Sequence, residues 1–204
     1  MNISVVNIRE FINSDDMGFG IGTLYDMIES FSCEKNKDVE SFLKNSAIEF
    51  TKKNQSVTYL VLDSDDAQLL GYFSLAVKPI TIKIDKNSKE ISNTMRKRIE
   101  RVSKYDEESG AYMLSAFLIA QLGKNFKYKL NKRITGSELL QLAVDKIKEV
   151  QYIIGGMVVF LEAEMIDELD KFYRSENGFV QFGTRKAESP NEEHDLIQML
   201  KILR

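Results

Sequence analysis

Four cations, Lys127, Lys129, Lys132 and Arg133, lead into Thr135, Gly136 and Glu138, and residues of these types at this spacing could bind an anion. A helix beginning there would add unpaired N–H groups and the positive end of the peptide dipole to the charge of the loop. Thr135 and Glu138 have the spacing of a capping box, and Gly136 in the first turn lets a ligand come close to the backbone. Leu139, Leu140, Ala143, Ile147 and Val150 fall on one helical face, while Glu138, Asp145, Lys146, Lys148 and Glu149 fall mostly elsewhere. An amphipathic helix is therefore expected directly after the basic loop. An ordinary capped surface helix would use the same residues, so at this level both readings stand.

The chain as a whole limits what such a site could serve. Its 204 residues, 43% hydrophobic and 29% charged, suit one domain over 1–204 with a single sizeable core. A net charge of −3 gives no global field for gripping nucleic acid, which leaves local basic patches as the means. The single cysteine, Cys33, excludes an intramolecular disulfide framework and is expected to be a packing residue. The single histidine, His194, sits in a charged tail, so no metal site is expected. The N-terminal residues lack the pattern of a signal peptide, and no apolar run approaches the roughly 18 residues that cross a bilayer. A cytoplasmic protein without a membrane partner is the expectation.

The surrounding elements follow from periodicity. Ile3 to Phe11 alternates loosely and predicts a first strand, broken at Asn13 to Asp16. The glycine-rich Gly18-Phe19-Gly20-Ile21-Gly22 has neither a leading hydrophobic strand nor a following Gly-Lys-Ser/Thr, and reads as a loop rather than a nucleotide site. Asp38 to Lys53 predicts one helix, N-capped by Asp38, with Val39, Phe42, Leu43, Ala47 and Phe50 inward. Val57 to Asp63 and Leu69 to Val77 predict a hairpin around Ser64 to Gln68, which Thr81 to Ile84 extends after Pro79.

A polar, basic insertion at about 85–110 carries Lys86, Lys89, Arg96, Lys97, Arg98, Arg101 and Lys104. Ile91, Met95, Ile99 and Val102 make part of it an amphipathic helix with a basic outer face; a solvated insertion is the plainer alternative. Ala111 to Leu122 predicts a central strand buried on both faces. Beyond the capped helix, Gly155 and Gly156 form the turn into Met157 to Ala163, a strand parallel to the last. Asp167 to Arg174 predicts a short helix with Leu169, Phe172 and Tyr173 inward, and strands follow at Val180 to Gly183 and Leu196 to Leu203. The sum is an α/β domain with a mixed, mostly antiparallel sheet flanked by helices.

This element order, from about Phe31 to Arg204, resembles the Gcn5-related N-acetyltransferases. That family's Gln/Arg-x-x-Gly-x-Gly/Ala falls on Asn131-Lys132-Arg133-Ile134-Thr135-Gly136, where only the final glycine matches and Ile134 stands in place of the other. Ser137-Glu138-Leu139-Leu140 agrees with its small-x-Leu-Leu. Asp170-Lys171-Phe172-Tyr173 with Asn177-Gly178-Phe179 resembles its Phe-Tyr-x-x-x-Gly-Phe ending with one extra residue. Thr58-Tyr59-Leu60-Val61, Gly71-Tyr72-Phe73-Ser74-Leu75, the basic insertion and Ile119-Ala120-Gln121-Leu122-Gly123-Lys124 look like the branch that includes aminoacyl-tRNA-acetylating toxins.

The resemblance implies acetyl-CoA as co-substrate, its pyrophosphate over Asn131, Lys132, Arg133, Ile134, Thr135, Gly136 and Ser137. The backbone of Leu122, Gly123 and Lys124 would take the pantetheine arm like an added strand, and one N–H there would polarise the thioester carbonyl. Tyr173 falls at the position of the family's general acid, a core tyrosine being the alternative. Arg96, Lys97, Arg98 and Arg101 would hold a polyanionic acceptor such as tRNA, and the toxin branch implies an antitoxin-like protein partner and a homodimer. A small-molecule amine acetyltransferase and a non-catalytic CoA-binding module remain the competing readings.

Overall fold

The computed structural model describes residues 2–14, 19–84, 90–187 and 195–203. Asp15, Asp16, Gly18, Lys86, Lys89 and His194 lie outside that set. The chain divides into two compact units, residues 1–76 with 119–146, and residues 77–118 with 147–204.

In the first unit, β1 (Ile3–Asn7) pairs antiparallel with β2 (Val57–Asp63), and β2 with β3 (Leu69–Ile82), whose first half belongs here. The hairpin is as expected, and β3 runs without a break through Pro79 to Ile82. The first strand is shorter than its alternation suggests, because the Asn7 side chain accepts from the Arg9 N–H and caps α1 (Ile8–Ile12), burying Ile8 and Phe11.

The glycine-rich stretch differs more. Ile21–Glu29 is a helix, α2, with Gly20 as its N-cap and Leu24 and Ile28 in the core. Glycines at its start masked an amphipathic pattern that continues well past them. The helix expected over Asp38 to Lys53 is two, α3 (Lys37–Asn45) and α4 (Ala47–Lys52), broken at Ser46. Asn36 rather than Asp38 caps α3, accepting from the Val39 N–H at 3.1 Å, and Phe50 is 40% exposed. Ile8, Phe11, Leu24, Ile28, Phe31, Leu43, Leu60 and Tyr72 form the core of this unit, each large apolar side chain contributing about 1.5–3 kcal/mol by burial. Cys33 packs among them as expected.

In the second unit, β4 (Lys104–Asp106) pairs antiparallel with β5 (Ala111–Lys124). β5 pairs parallel with β6 (Val158–Glu164) at Phe117↔Val159 and Leu118↔Phe160 and continues to Lys124. β6 and β7 (Val180–Lys186) each pair antiparallel with β8 (Asp195–Ile202). The start of β5 is not buried on both faces as expected: Met113 is 48% exposed and Ser115 is exposed, so this end alternates like a half-solvated strand. The basic segment does contain a helix, α5 (Asn93–Val102), capped by Ser92 and packing Ile99 with Ile80, Leu114, Phe160 and Leu200.

β3, β5 and α6 (Gly136–Ile154) belong in part to each unit. With these shared strands the order is β1-β2-β3-β5-β6-β8-β7, and β4, which pairs with β5 off this path, completes an eight-stranded, mostly antiparallel sheet with the parallel β5-α6-β6 step read from the sequence. Gly155 and Gly156, at φ of +79° and +93°, end α6 as the turn requires.

Candidate functional site

Residues from the end of β5 to the first turn of α6 all lie in the first unit. Gly123 has no room for a side chain, since a Cβ there would lie 2.3 Å from Val39 Cγ1 and 3.4 Å from the Phe31 ring. Gly71 is similar, its Cβ falling 2.7 Å from the Gly123 carbonyl oxygen. The strand end bearing Leu122, Gly123 and Lys124 is thus pressed between β3 and α3, and the Tyr72 hydroxyl, donating to the Val39 carbonyl at 2.6 Å, locks that contact. Burial drives the Tyr72 phenol far above its ordinary pKa, so it acts there only as a donor.

Asn125, next in the chain and 0% exposed, was not read from the sequence. Its Oδ1 accepts from the Ser32 and Lys127 N–H groups, both at 3.0 Å. Its Nδ2 donates to the carbonyls of Ser30 and Leu69 at 3.1 and 2.9 Å, and its own N–H to Leu70 at 2.8 Å. One buried amide therefore fixes where β5 ends and where the basic loop begins. A single asparagine after a strand carries no signal of partners more than fifty residues away.

The loop then turns sharply. Tyr128 and Lys129 take left-handed φ values of 53° and 61° within the 3-10 stretch Lys127–Lys132, and Leu130 is buried beneath it. Ile134, where the sequence pattern lacks its glycine, is 1% exposed, so its side chain has become part of the core. Lys124 Nζ donates to the carbonyls of Asn131 and Ile134 at 3.0 and 3.2 Å. Burial, and the charge of Lys35, lower the Lys124 pKa.

The capping box is formed. The Thr135 N–H donates to Glu138 Oε2 at 2.7 Å, and the Glu138 N–H to Thr135 Oγ1 at 3.1 Å. The Thr135 backbone N–H, then the Thr135 hydroxyl and the charge of Lys124, hold the Glu138 carboxyl below its ordinary pKa. Leu139, Leu140, Ala143 and Ile147 face the core as expected. Of the loop cations, Lys132 is exposed, whereas Arg133 Nη1 donates to Asp63 at 3.1 Å and Asp66 at 2.6 Å. That guanidinium lowers the Asp66 pKa and is itself raised by the two acids.

Tyr173 and the basic helix belong to the second unit. α7 (Asp167–Asp170) widens into a π-type turn over Lys171–Glu176, which holds Tyr173 half-buried between Phe172 and Phe179, ring centroids 4.8 and 6.0 Å away. Burial pushes its phenol up to about 12. Asn177 donates to the Phe172 carbonyl at 2.8 Å, and Arg174 pairs with Glu90 at 2.6 Å and Asp170 at 3.4 Å. On α5, Arg96 pairs with Glu100 at 3.0 Å, Arg98 is half-buried, and Lys97 and Arg101 are exposed. The Tyr112 hydroxyl also donates to Glu100 at 3.0 Å.

This fold, a mixed sheet with its parallel β5-α6-β6 step and a capped helix after the central strand, is the Gcn5-related N-acetyltransferase fold. Among solved structures it is similar to a tyrosine-to-phenylalanine variant of KacT, at 16% identity and a TM-score of 0.63, over 99% of this chain and 95% of that one. It is also similar to AtaT complexed with acetyl-methionyl-tRNAfMet, at 15% identity and a TM-score of 0.60, over 96% and 94% of the two chains. A third is a variant of the AtaT toxin bound to the C-terminus of the antitoxin AtaR and acetyl-CoA, at 13% identity and a TM-score of 0.57, over 99% and 94%. No family model and no curated protein matches the sequence.

Proposed function

We propose that the protein transfers acetyl from acetyl-CoA to a primary amine, most concretely the amino group of an aminoacyl-tRNA. The observation that carries this reading is the capped start of α6 after the basic loop that follows β5, in a fold whose solved neighbours include a toxin with acetyl-CoA and one with an acetylated aminoacyl-tRNA. The Gly136 N–H at the helix start, the backbone of Asn131 to Ser137 and exposed Lys132 suit a pyrophosphate. Arg133 contributes by holding the loop through Asp63 and Asp66 more than by meeting the ligand. The amides of Leu122, Gly123 and Lys124 pair with the pantetheine arm, and an N–H among them polarises the acetyl carbonyl.

The amine nitrogen attacks that carbonyl carbon, a C–N bond forms, the C–S bond breaks, and the sulfur leaves as a thiolate while the nitrogen gives its proton to water. Tyr173 is assigned the proton donor to sulfur. With its pKa at about 12 the phenol is protonated at any working pH, but full transfer to a thiolate of pKa about 8.5 is uphill. Its main contribution is then a hydrogen bond that strengthens as charge develops on sulfur.

Arg96, Lys97, Arg98 and Arg101 hold phosphates of the acceptor, with Lys97 and Arg101 the outward pair. An antitoxin-like partner, a homodimer and a cytoplasmic setting belong to the same reading. A metabolite amine acetyltransferase is the second reading, favoured by the net charge of −3. Acetylation of total charged tRNA should be compared with a panel of polyamines and amino-sugars, using wild type and the variant with all four α5 cations changed to Ser. The tRNA reading expects transfer to charged tRNA that weakens with salt and falls at least about tenfold in the variant. Transfer to a small amine, indifferent to both, would establish the second reading. No transfer and no thiol release, with acetyl-CoA still bound, would leave a non-catalytic module.

A further inference from the structure

The loop before α6 lacks one of the glycines that the acetyl-CoA turn ordinarily uses, and Ile134 in that place is buried, so something other than glycine must set the direction of its peptide groups. The side chain of Lys124 meets that need. Its Nζ reaches across the loop to the carbonyls of Asn131 and Ile134, at 3.0 and 3.2 Å, from a half-buried position at the end of β5. In a trans peptide the C=O and the following N–H point opposite ways. Drawing those two carbonyls toward Lys124 therefore turns the N–H groups of Lys132 and Thr135 away from it.

The Thr135 N–H shows what it then faces, since it donates at 2.7 Å to the carboxylate of Glu138, an exposed residue. A negatively charged oxygen already occupies the direction into which the staple turns that donor. The fold backs the staple from behind, because Asn125, the residue after Lys124, is fixed by its bonds to Ser30, Ser32 and Leu69.

We propose that Lys124 is a positioning residue whose side-chain amine holds loop 131–135 in its phosphate-ready shape, replacing by hydrogen bonds what a missing glycine would have given by backbone freedom. The inference rests on the co-substrate site proposed above. It differs from a direct ligand role in that the amine acts on the protein's own carbonyls, so its removal should loosen the loop even with no ligand present.

The test uses the full chain with Lys124→Met, which keeps the length of the stem and removes the donor, beside Lys132→Met, which removes an equal charge from the loop without touching the staple. Amide hydrogen exchange is read over residues 131–137, and binding of inorganic pyrophosphate and of acetyl-CoA is measured by calorimetry. In Lys124→Met the loop amides should exchange at least about tenfold faster at unchanged global stability, and pyrophosphate and acetyl-CoA should each bind at least about tenfold more weakly, about 1.4 kcal/mol. Where turnover is measured, the loss should fall on KM more than on kcat. Lys132→Met should leave the exchange pattern as in wild type.

Unchanged loop exchange in Lys124→Met overturns the inference, as does a loosened loop with unchanged pyrophosphate affinity. Equal loosening in both variants also overturns it, because charge rather than the staple would then be the cause. If wild type binds pyrophosphate in a Lys124-dependent way but does not bind acetyl-CoA, the proposed function falls and the positioning role stands. If neither ligand binds wild type, both fall.

Discussion

The basic loop before α6 and the basic helix α5 look alike in the sequence and differ in how the structure uses their charge. Around the loop, the cation at the end of β5 and the arginine before the helix are committed to acceptors of the protein itself: half-buried Lys124 to two carbonyls, and exposed Arg133 to Asp63 and Asp66. On α5, Arg96 pairs within its own helix, while Lys97 and Arg101 remain exposed. Counting positive residues would rate the two segments as equivalent. The comparison teaches that a cation committed to the protein's own carbonyls and carboxylates shapes a site, whereas one left facing water can attract a ligand from a distance. The proposed roles differ accordingly: the loop's committed cations hold the shape of the co-substrate site, and the exposed cations of α5 meet the acceptor.

The change that could break this division most sharply is Tyr173→Phe. The ring keeps its contacts with Phe172 and Phe179, so packing is nearly preserved while the hydroxyl is lost. Turnover should fall by about 10²- to 10⁴-fold, with acetyl-CoA affinity within a factor of about two. Steady-state kinetics and calorimetry together read this. Turnover within twofold of wild type would make Tyr173 a packing residue and leave the second unit without an assigned acid.

A smaller effect sharpens the other side. Arg133→Met leaves the Asp63 carboxylate, whose side chain is only 5% exposed, without its guanidinium. Thermal unfolding should then shift down by about 2–4 °C, while acetyl-CoA affinity drops by less than about threefold. A loss of affinity above tenfold at unchanged Tm would mean that Arg133 meets the phosphates directly, and the contrast drawn between the two segments would be wrong.

What could be read in advance depended on how far apart the partners lie in the chain. The capping box of Thr135 and Glu138, the hairpin of β2 and β3 and the apolar face of α6 are local, so spacing alone revealed them. The break at Ser46 inside an otherwise continuous apolar pattern was not visible, because periodicity does not register where a helix bends to keep Leu43, Ala47 and Ile48 all in one core. Asn125 bonds to residues 93 and 95 positions away, and Arg133 to acids 67 and 70 away; such pairs exist only once the sheet has formed. The candidate site was thus legible as a helix start and illegible as a held shape.

Glu40 gives the smallest prediction and the mirror image of Lys124, a carboxylate that holds backbone in the first unit. It accepts the Cys33 N–H at 2.9 Å and is flanked by Lys44 at 3.1 Å and Lys37 at 3.2 Å. The backbone hydrogen bond, followed by Lys44, draws its pKa from 4.5 down to about 2. Because the folded value is the lower one, the charged form is favoured by folding, and the contribution is complete above about 4.5. It is lost as pH falls from there through about 2. The pair with Lys37 is screened by solvent, so about 1 kcal/mol is expected rather than the full shift. Urea unfolding of wild type and Glu40→Gln at pH 7 and again near pH 3 reads it: the variant should be less stable at pH 7, and the gap should narrow on acidification. A gap that holds constant between those pH values would assign the loss to altered packing around Cys33 rather than to the charge of Glu40.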